Sequence, residues 1–272
     1  MTSTPSVDTP SSHGKPSPVS QTRPSPFPAM LFSGKSAIAA LFLLFAELAL
    51  FESPWGNLDL AVQDLFFDFE RQKWLLPSPQ ASSAINAFFY LGPKILIITL
   101  GIALFLLALF PRRWREKLPR CTRVWRRRDL LVAVLTLATA PLFVGFLKGA
   151  TNVHYPCNIE RYGGNVRYVR TFERFPEDIR PAKRERGFPA GHASGGFALL
   201  ALAGMATTRR GTCATIAIAL AAGWWMGSYQ MLRGVHYLSH TVTTMLLCWL
   251  TFLAWRMLAC RASMGISRIL QK

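Results

Sequence analysis

Two short segments hold three of the chain's five histidines: Gly187-Phe188-Pro189-Ala190-Gly191-His192-Ala193-Ser194 and Arg233-Gly234-Val235-His236-Tyr237-Leu238-Ser239-His240. Each stands at the boundary of a long apolar run, where polar side chains are costly and mark functional sites. Arg233, His236 and His240 are spaced three and four apart, which puts them on one helical face. An arginine that forks onto phosphate oxygens, one turn from a nucleophilic histidine, suits phosphoryl transfer. Pro189 before Ala190, Gly191 and His192 is preorganised to open a helix, whose first N–H groups and dipole favour an anion. Gly191 allows close approach, and His192 is placed to protonate a leaving oxygen. Lys148, at the end of an earlier apolar run, adds another cation. Phosphoryl transfer asks mainly for charge stabilisation and positioning, so the pattern requires no metal or other cofactor. None of the acidic residues is spaced as a cation site.

The elements that must position these groups are apolar blocks. Hydrophobic residues make up 51% of the 272 and charged ones only 17%, and the apolar residues are concentrated rather than interspersed, which argues for a membrane protein. Six blocks approach the roughly 20 residues needed to cross a bilayer: 36–51, 87–110, 130–147, 191–207, 212–232 and 241–260. The fourth is rich in Gly and Ala and suits close helix packing. Basic residues cluster between Pro111 and Asp129, at Arg209 and Arg210, and at the C-terminus. By the positive-inside rule these segments and both termini are cytoplasmic, leaving 148–189 and 233–240 outside. The net charge of +17 then reflects the membrane surface rather than nucleic acid. Residues 1–30, rich in Ser, Thr and Pro, are expected to be a disordered leader, with the membrane domain over 31–262 and a cytoplasmic tail over 263–272. Five cysteines show no metal-ligand spacing, and only Cys157 falls in an external loop, which argues against a disulfide.

Two external stretches complete the organisation. Leu58 to Glu70 has apolar spacing compatible with an amphipathic helix in the interface, most simply a cap on the bundle. The loop from Lys148 to Pro189 carries nine basic residues against five acidic ones through Arg186, a surplus that suits an anionic substrate.

The ordered set Lys148…Pro156, Pro189-x-Gly191-His192 and Arg233…His236-x-x-x-His240 resembles the type 2 phosphatidic acid phosphatase (PAP2) superfamily, in its bacterial integral-membrane lipid phosphatase branch. The signatures of that superfamily are K-x6-R-P, P-S-G-H and S-R-x5-H-x3-D. The resemblance implies an all-α, polytopic bundle of six transmembrane helices in the inner membrane, with the active site facing the periplasm. It implies that His236 attacks phosphorus while Lys148, Arg233 and backbone N–H groups around Ala190 and Gly191 hold the oxygens, and that His192 protonates the leaving group. The implied partner is a lipid phosphate or pyrophosphate (lipid A, undecaprenyl pyrophosphate, phosphatidate or phosphatidylglycerol phosphate). Hydrolysis, transfer to an acceptor lipid, and a catalytically silent lipid-binding protein all remain open at this level, as does the oligomeric state.

The chain departs from the signatures at several positions. Tyr155 stands at the first signature's arginine, and Arg161 is the expected replacement. Ala190 stands at the serine, keeping the backbone N–H. Tyr229 and Gln230 stand at the third signature's serine and arginine, with Arg233 one turn further along. His240 stands at the aspartate, where a neutral imidazole accepts a hydrogen bond from His236 but gives no charge stabilisation.

Overall fold

A computed structural model of the chain describes residues 32–53, 57–77, 83–111, 117, 125–176 and 184–269. The expected leader, most of the basic loop and the last three residues lie outside them. The helices are α1 (Gly34–Phe51), α2 (Leu58–Asp64), α3 (Gly92–Leu109), α4 (Arg127–Ala150), α5 (Gly191–Ala198), α6 (Arg209–Met231) and α7 (Leu238–Ile269). A short turn (Ser83–Asn86) and a π-helical stretch (Ala87–Leu91) lead into α3, and a 3-10 stretch (Leu199–Met205) continues α5. The last helix thus runs past residue 262, where the membrane domain was expected to end.

Helices occupy all six apolar blocks. However, only four stretches among the described residues are long and apolar enough to cross a membrane: Gly34–Phe51, Ala84–Leu109, Arg127–Ala150 and Leu238–Ser263. The expected count of six spans is therefore not reproduced. The fourth block forms eight residues of α-helix before tightening to 3-10, and α6 is diluted by Gly, Thr and the arginines at its start. The apolar side chains of α1 and α3 are largely uncovered, with Phe42 70% and Leu96 70% exposed, as lipid-facing helices require.

The short helix α5 packs against α4, α6 and α7, and glycine makes this possible. A Cβ on Gly196 would fall 2.5 Å from the Gly223 nitrogen, and one on Gly223 would fall 2.2 Å from the Phe197 ring. The backbones of α5 and α6 therefore approach as only small residues permit. On the other side of α7, both carboxylate oxygens of Glu47 accept from the Thr243 hydroxyl at 3.0 Å, tying α1 to α7.

The expected helix from Leu58 to Glu70 ends at Asp64 and gives way to a two-stranded hairpin, β1 (Phe67–Asp68) with β2 (Lys73–Trp74). The cause is local: one Asp68 carboxylate oxygen accepts the N–H groups of Glu70 and Arg71 at 3.0 Å, and Gln72 adopts a left-handed φ of 52°. Phe67, Trp74 and Tyr162 pack edge-on at centroid distances of 4.9 to 5.2 Å. The segment does cap the bundle, but as a helix plus hairpin.

Asp59 of α2 is buried against the start of α7, where its carboxylate accepts the Ser239 N–H at 2.9 Å and the Ser239 hydroxyl at 2.5 Å. It satisfies an N–H that the helix itself leaves unbonded. Burial pushes the Asp59 carboxyl up to about 6, against these hydrogen bonds. A folded-state value above the ordinary one of about 3.9 favours the protonated form on folding. The associated stability is full below about pH 4 and is lost as pH rises through about 6. Asp59→Asn keeps an acceptor for the N–H and a donor for the hydroxyl while removing the charge. Relative to wild type it should gain roughly 2–3 kcal/mol between pH 4 and pH 8, read from melting in detergent. Parallel melting curves for the two proteins across that range would refute this role.

Candidate active site

The turn between α6 and α7 carries Arg233 and His236 and is held from several directions. Within it, Gly234 and Val235 donate to the Met231 and Gln230 carbonyls at 3.0 and 2.8 Å. From outside, the Gln63 amide donates to the Met231 carbonyl at 2.6 Å, and the Leu76 N–H to the Leu232 carbonyl at 3.1 Å. The Cys157 N–H donates to the Gly234 carbonyl at 2.8 Å. Gly234 has φ 69°, and a Cβ there would fall 2.3 Å from the Trp74 ring, so glycine is required on both counts. The α2–hairpin cap, the external loop and the turn thus lock one another.

The other histidine-bearing segment is tied to the same place. The Ala190 N–H donates to the His240 carbonyl at 3.1 Å, and the Thr244 hydroxyl donates to the Ala190 carbonyl at 3.2 Å. Upstream, Thr151 donates to the Phe188 carbonyl at 2.5 Å and Gly187 to the Val153 carbonyl at 2.8 Å. Pro189 precedes the cap Ala190, and α5 starts at Gly191.

The three histidines form a chain. His192 Nδ1 lies 3.4 Å from His236 Nε2, and His236 Nδ1 lies 3.4 Å from His240 Nδ1. His236 and His240 are buried, and the Gly187 backbone faces both. Both distances are at the long end of hydrogen bonding, as is common before substrate tightens a site. The order gives each nitrogen of His236 a separate neighbour: His240 at Nδ1, His192 at Nε2. Burial, reinforced by the charge of Lys148, holds His236 well below the usual histidine range, so its imidazole is neutral.

Cations surround this chain. The Lys148 ammonium lies over Gly191: a Cβ there would be 3.3 Å from Lys148 Cδ and 3.6 Å from Nζ. Arg233 is 8% exposed, its guanidinium stacks 4.8 Å over the Tyr229 ring, and its Nε has no acceptor among the described residues. An oxyanion would satisfy that donor. The charges of Lys148 and Arg233 both reach His192.

Lys148, Gly191, His192, Arg233, His236 and His240 are therefore gathered in one place. The remaining two candidates are otherwise engaged. The Ala190 N–H is bonded to His240, leaving Gly191 and His192 as the backbone donors of the first turn. Arg161 forks onto Asp64 at 2.8 and 2.6 Å and lies over the Phe69 ring. That pair holds the Asp64 carboxyl below its usual range and leaves the guanidinium bound to the cap.

Sequence reasoning missed two cations. Arg186 crosses Gly149, where a Cβ would be 2.9 Å from its guanidinium, and its charge reaches Lys148 and Tyr155. Tyr155, at the first signature's arginine position, has its ring 6.1 Å from that of His236 and donates to the Arg186 carbonyl at 3.3 Å. Lys94 lines a cleft of about 440 Å³ between α3, α4 and the start of α5, together with Tyr90, His192 and an apolar wall reaching Phe105 and Val134. A lysine inside an apolar block was the available signal for Lys94; only its place beside Gly187 marked Arg186.

The PAP2 superfamily model matches residues 129–262, from the start of α4 into α7, and so contains Lys148 and both histidine-bearing segments. No curated protein matches the chain. Among solved structures it is similar to a transmembrane PAP2-type phosphatidylglycerolphosphate phosphatase from Bacillus subtilis, at 16% identity over 81% of this chain and 94% of that one, with a TM-score of 0.47. Residues 129–262, just under half of the chain, thus carry the match to the PAP2 superfamily.

Proposed function

We propose that the chain is a membrane lipid phosphatase that cleaves a lipid-linked phosphate or pyrophosphate through a phosphohistidine, at the outer face of the inner membrane. The observation that carries this reading is the chain His192–His236–His240, ringed by Lys148 and Arg233, at the mouth of an apolar cleft. The cations suit a phosphate and the cleft suits a hydrocarbon tail.

In the first step His236 Nε2 forms a bond to phosphorus as the bond to the leaving oxygen breaks, and His192 donates its proton to that oxygen. His236 must carry its proton on Nδ1 to attack through Nε2, and an unprotonated His240 Nδ1 accepts it. His240 thus sets the tautomer, the orienting part of a carboxylate's role, while the charge stabilisation is missing. Lys148, Arg233 and the Gly191 and His192 N–H groups hold the non-bridging oxygens. In the second step water, deprotonated by His192, displaces His236 and releases inorganic phosphate. Arg186, adjacent to Lys148, supplies the guanidinium that Tyr155 lacks.

Purified protein should release phosphate from lipid phosphates, with the rate falling at least ~10³-fold in His192→Ala and in His236→Ala. A phosphohistidine should be trapped on wild type and absent from His236→Ala. A wild type that neither releases phosphate nor becomes labelled would refute the reading.

Gly191→Ala adds a methyl against the flexible Lys148 side chain and should leave melting almost unchanged. It should lower kcat/KM ~10- to 100-fold by displacing the ammonium; unchanged kinetics would remove Lys148 from the site. The pH profile tests His236. Because its value is held low, the neutral nucleophile persists as pH falls, and the acid limb of kcat/KM should lie below about pH 6.5. Lys148→Met removes a neighbouring positive charge and should move that limb upward. A limb that stays in place would show that Lys148 does not act on His236.

A further inference from the structure

Lys94 is a cation of the cleft that the two-step scheme leaves without a task. It sits in the first turn of α3, its ammonium 5.5 Å from the Tyr90 ring centroid, and the Tyr90 ring packs edge-on at 4.7 Å against His192. No carboxylate pairs with it among the described residues, and its charge reaches His192. Along α3 the cleft then continues through Ile97, Ile98 and Ile102 to Phe105, eleven residue steps from Lys94, roughly 16 Å of helix.

The order of these groups along the cleft matters. His236, the nucleophile, lies on the far side of His192, and the apolar wall lies on the near side, beyond Tyr90 and Lys94. A lipid with its tail in the cleft and its terminal phosphorus at His236 presents its leaving group beside His192. The next part of the molecule, between leaving oxygen and tail, passes Lys94. For a prenyl monophosphate or phosphatidate, which carry no second phosphate, that part is neutral, and a cation beside it has nothing to bind. For a lipid diphosphate it is a second phosphate, which remains on the lipid and gains negative charge as the bridging bond breaks.

We propose that Lys94 binds the phosphate that stays on the lipid, and that the site thereby selects lipid diphosphates over lipid monophosphates. The inference rests on the phosphatase reading above and specifies its substrate. His236 Nε2 bonds to the terminal phosphorus, the bridging P–O bond breaks with its electron pair going to the bridging oxygen, and His192 supplies a proton there. Water then forms the new P–O bond as the N–P bond breaks, giving a lipid monophosphate and inorganic phosphate. A cation that meets charge developing on the leaving group acts on the transition state more than on the ground state. Its removal should therefore appear in kcat as well as in KM.

The test uses detergent-solubilised full chain and two substrates with one tail, a prenyl diphosphate and the corresponding prenyl monophosphate. The wild type should prefer the diphosphate. Lys94→Met keeps most of the length of the side chain and lacks its charge. It should lower kcat/KM for the diphosphate ~10- to 30-fold, with part of the loss in kcat, and change the monophosphate less than ~3-fold. Lys94→Arg should restore the diphosphate rate to within ~3-fold of wild type. Equal losses on both substrates, no loss on the diphosphate, or a wild type that prefers the monophosphate would overturn the assignment while leaving the phosphatase reading intact. A wild type inactive on both, with no labelled histidine, would overturn the phosphatase reading itself. A melting temperature for each variant equal to that of wild type establishes that a loss is not one of folding.

Discussion

The arrangement depends on the immobility of one turn. Residues 232–237 carry the arginine and the central histidine of the site, yet they make no regular helix or strand that would hold them. Their geometry is imposed by hydrogen bonds from Gln63, Leu76 and Cys157, which come from the α2–hairpin cap and the external loop, and by the Trp74 ring pressed on Gly234. A misplacement of about 1 Å in a group that attacks phosphorus can lower the rate ~10²-fold. The cap, which touches neither histidine among the contacts described, is therefore part of the reaction centre in an energetic sense. The crossed bonds between Ala190, His240 and Thr244 do the same for the second segment, so that α5 and α7 cannot shift independently.

The electrostatics follow from that rigidity. Lysine and arginine side chains converge on the neutral imidazole of His236, and among the described residues no carboxylate hydrogen-bonds to it. Two carboxylates of the α2–hairpin cap are engaged elsewhere, Asp59 by Ser239 and Asp64 by Arg161. Like charges gathered at a membrane edge repel, and they are tolerated where substrate supplies the opposite charge. The buried Arg233 Nε, without an acceptor among the described residues, is a donor that an oxyanion would satisfy.

The residues of the candidate site were legible from the sequence because each breaks a pattern. A histidine at the end of an apolar run, or a glycine beside it, is conspicuous, and Lys148, His192, Arg233, His236 and His240 converge as the spacing implied. The pairing of Arg161 was not legible because a surface arginine is recognised by its partner, and Asp64 lies nearly a hundred residues away in the chain. The hairpin was hidden for a related reason. Leu58 to Glu70 has helical apolar spacing, and a single Asp68 side chain bonding two backbone N–H groups overrides it. The six-span count is not reproduced where apolar content and length part company. The run from Gly191 to Thr207 looks like a short membrane helix, but its glycines serve contact with α6 and its far end tightens to 3-10.

That short helix explains why the site can be both enclosed and open to lipid. The 3-10 continuation fills the space beside α3 and α4 with side chains, Leu199 and Leu200 clustering with Ile97, Leu100 and Leu137. By contrast α5 is narrow: Gly191 and Gly195 line the cleft, Gly196 lets α6 close behind it, and Ala193 and Phe197 are fully buried in the core. The helix presents its polar first turn to the histidines and its smallest residues to the cleft. The cleft wall is backbone at Gly191 and Gly195, while Ile97, Ile98, Ile102, Val134 and Leu137 supply its apolar side chains from α3 and α4. The same glycines that bring α5 and α6 together for packing leave room on the opposite face for a substrate, so packing and access are set by one sequence feature.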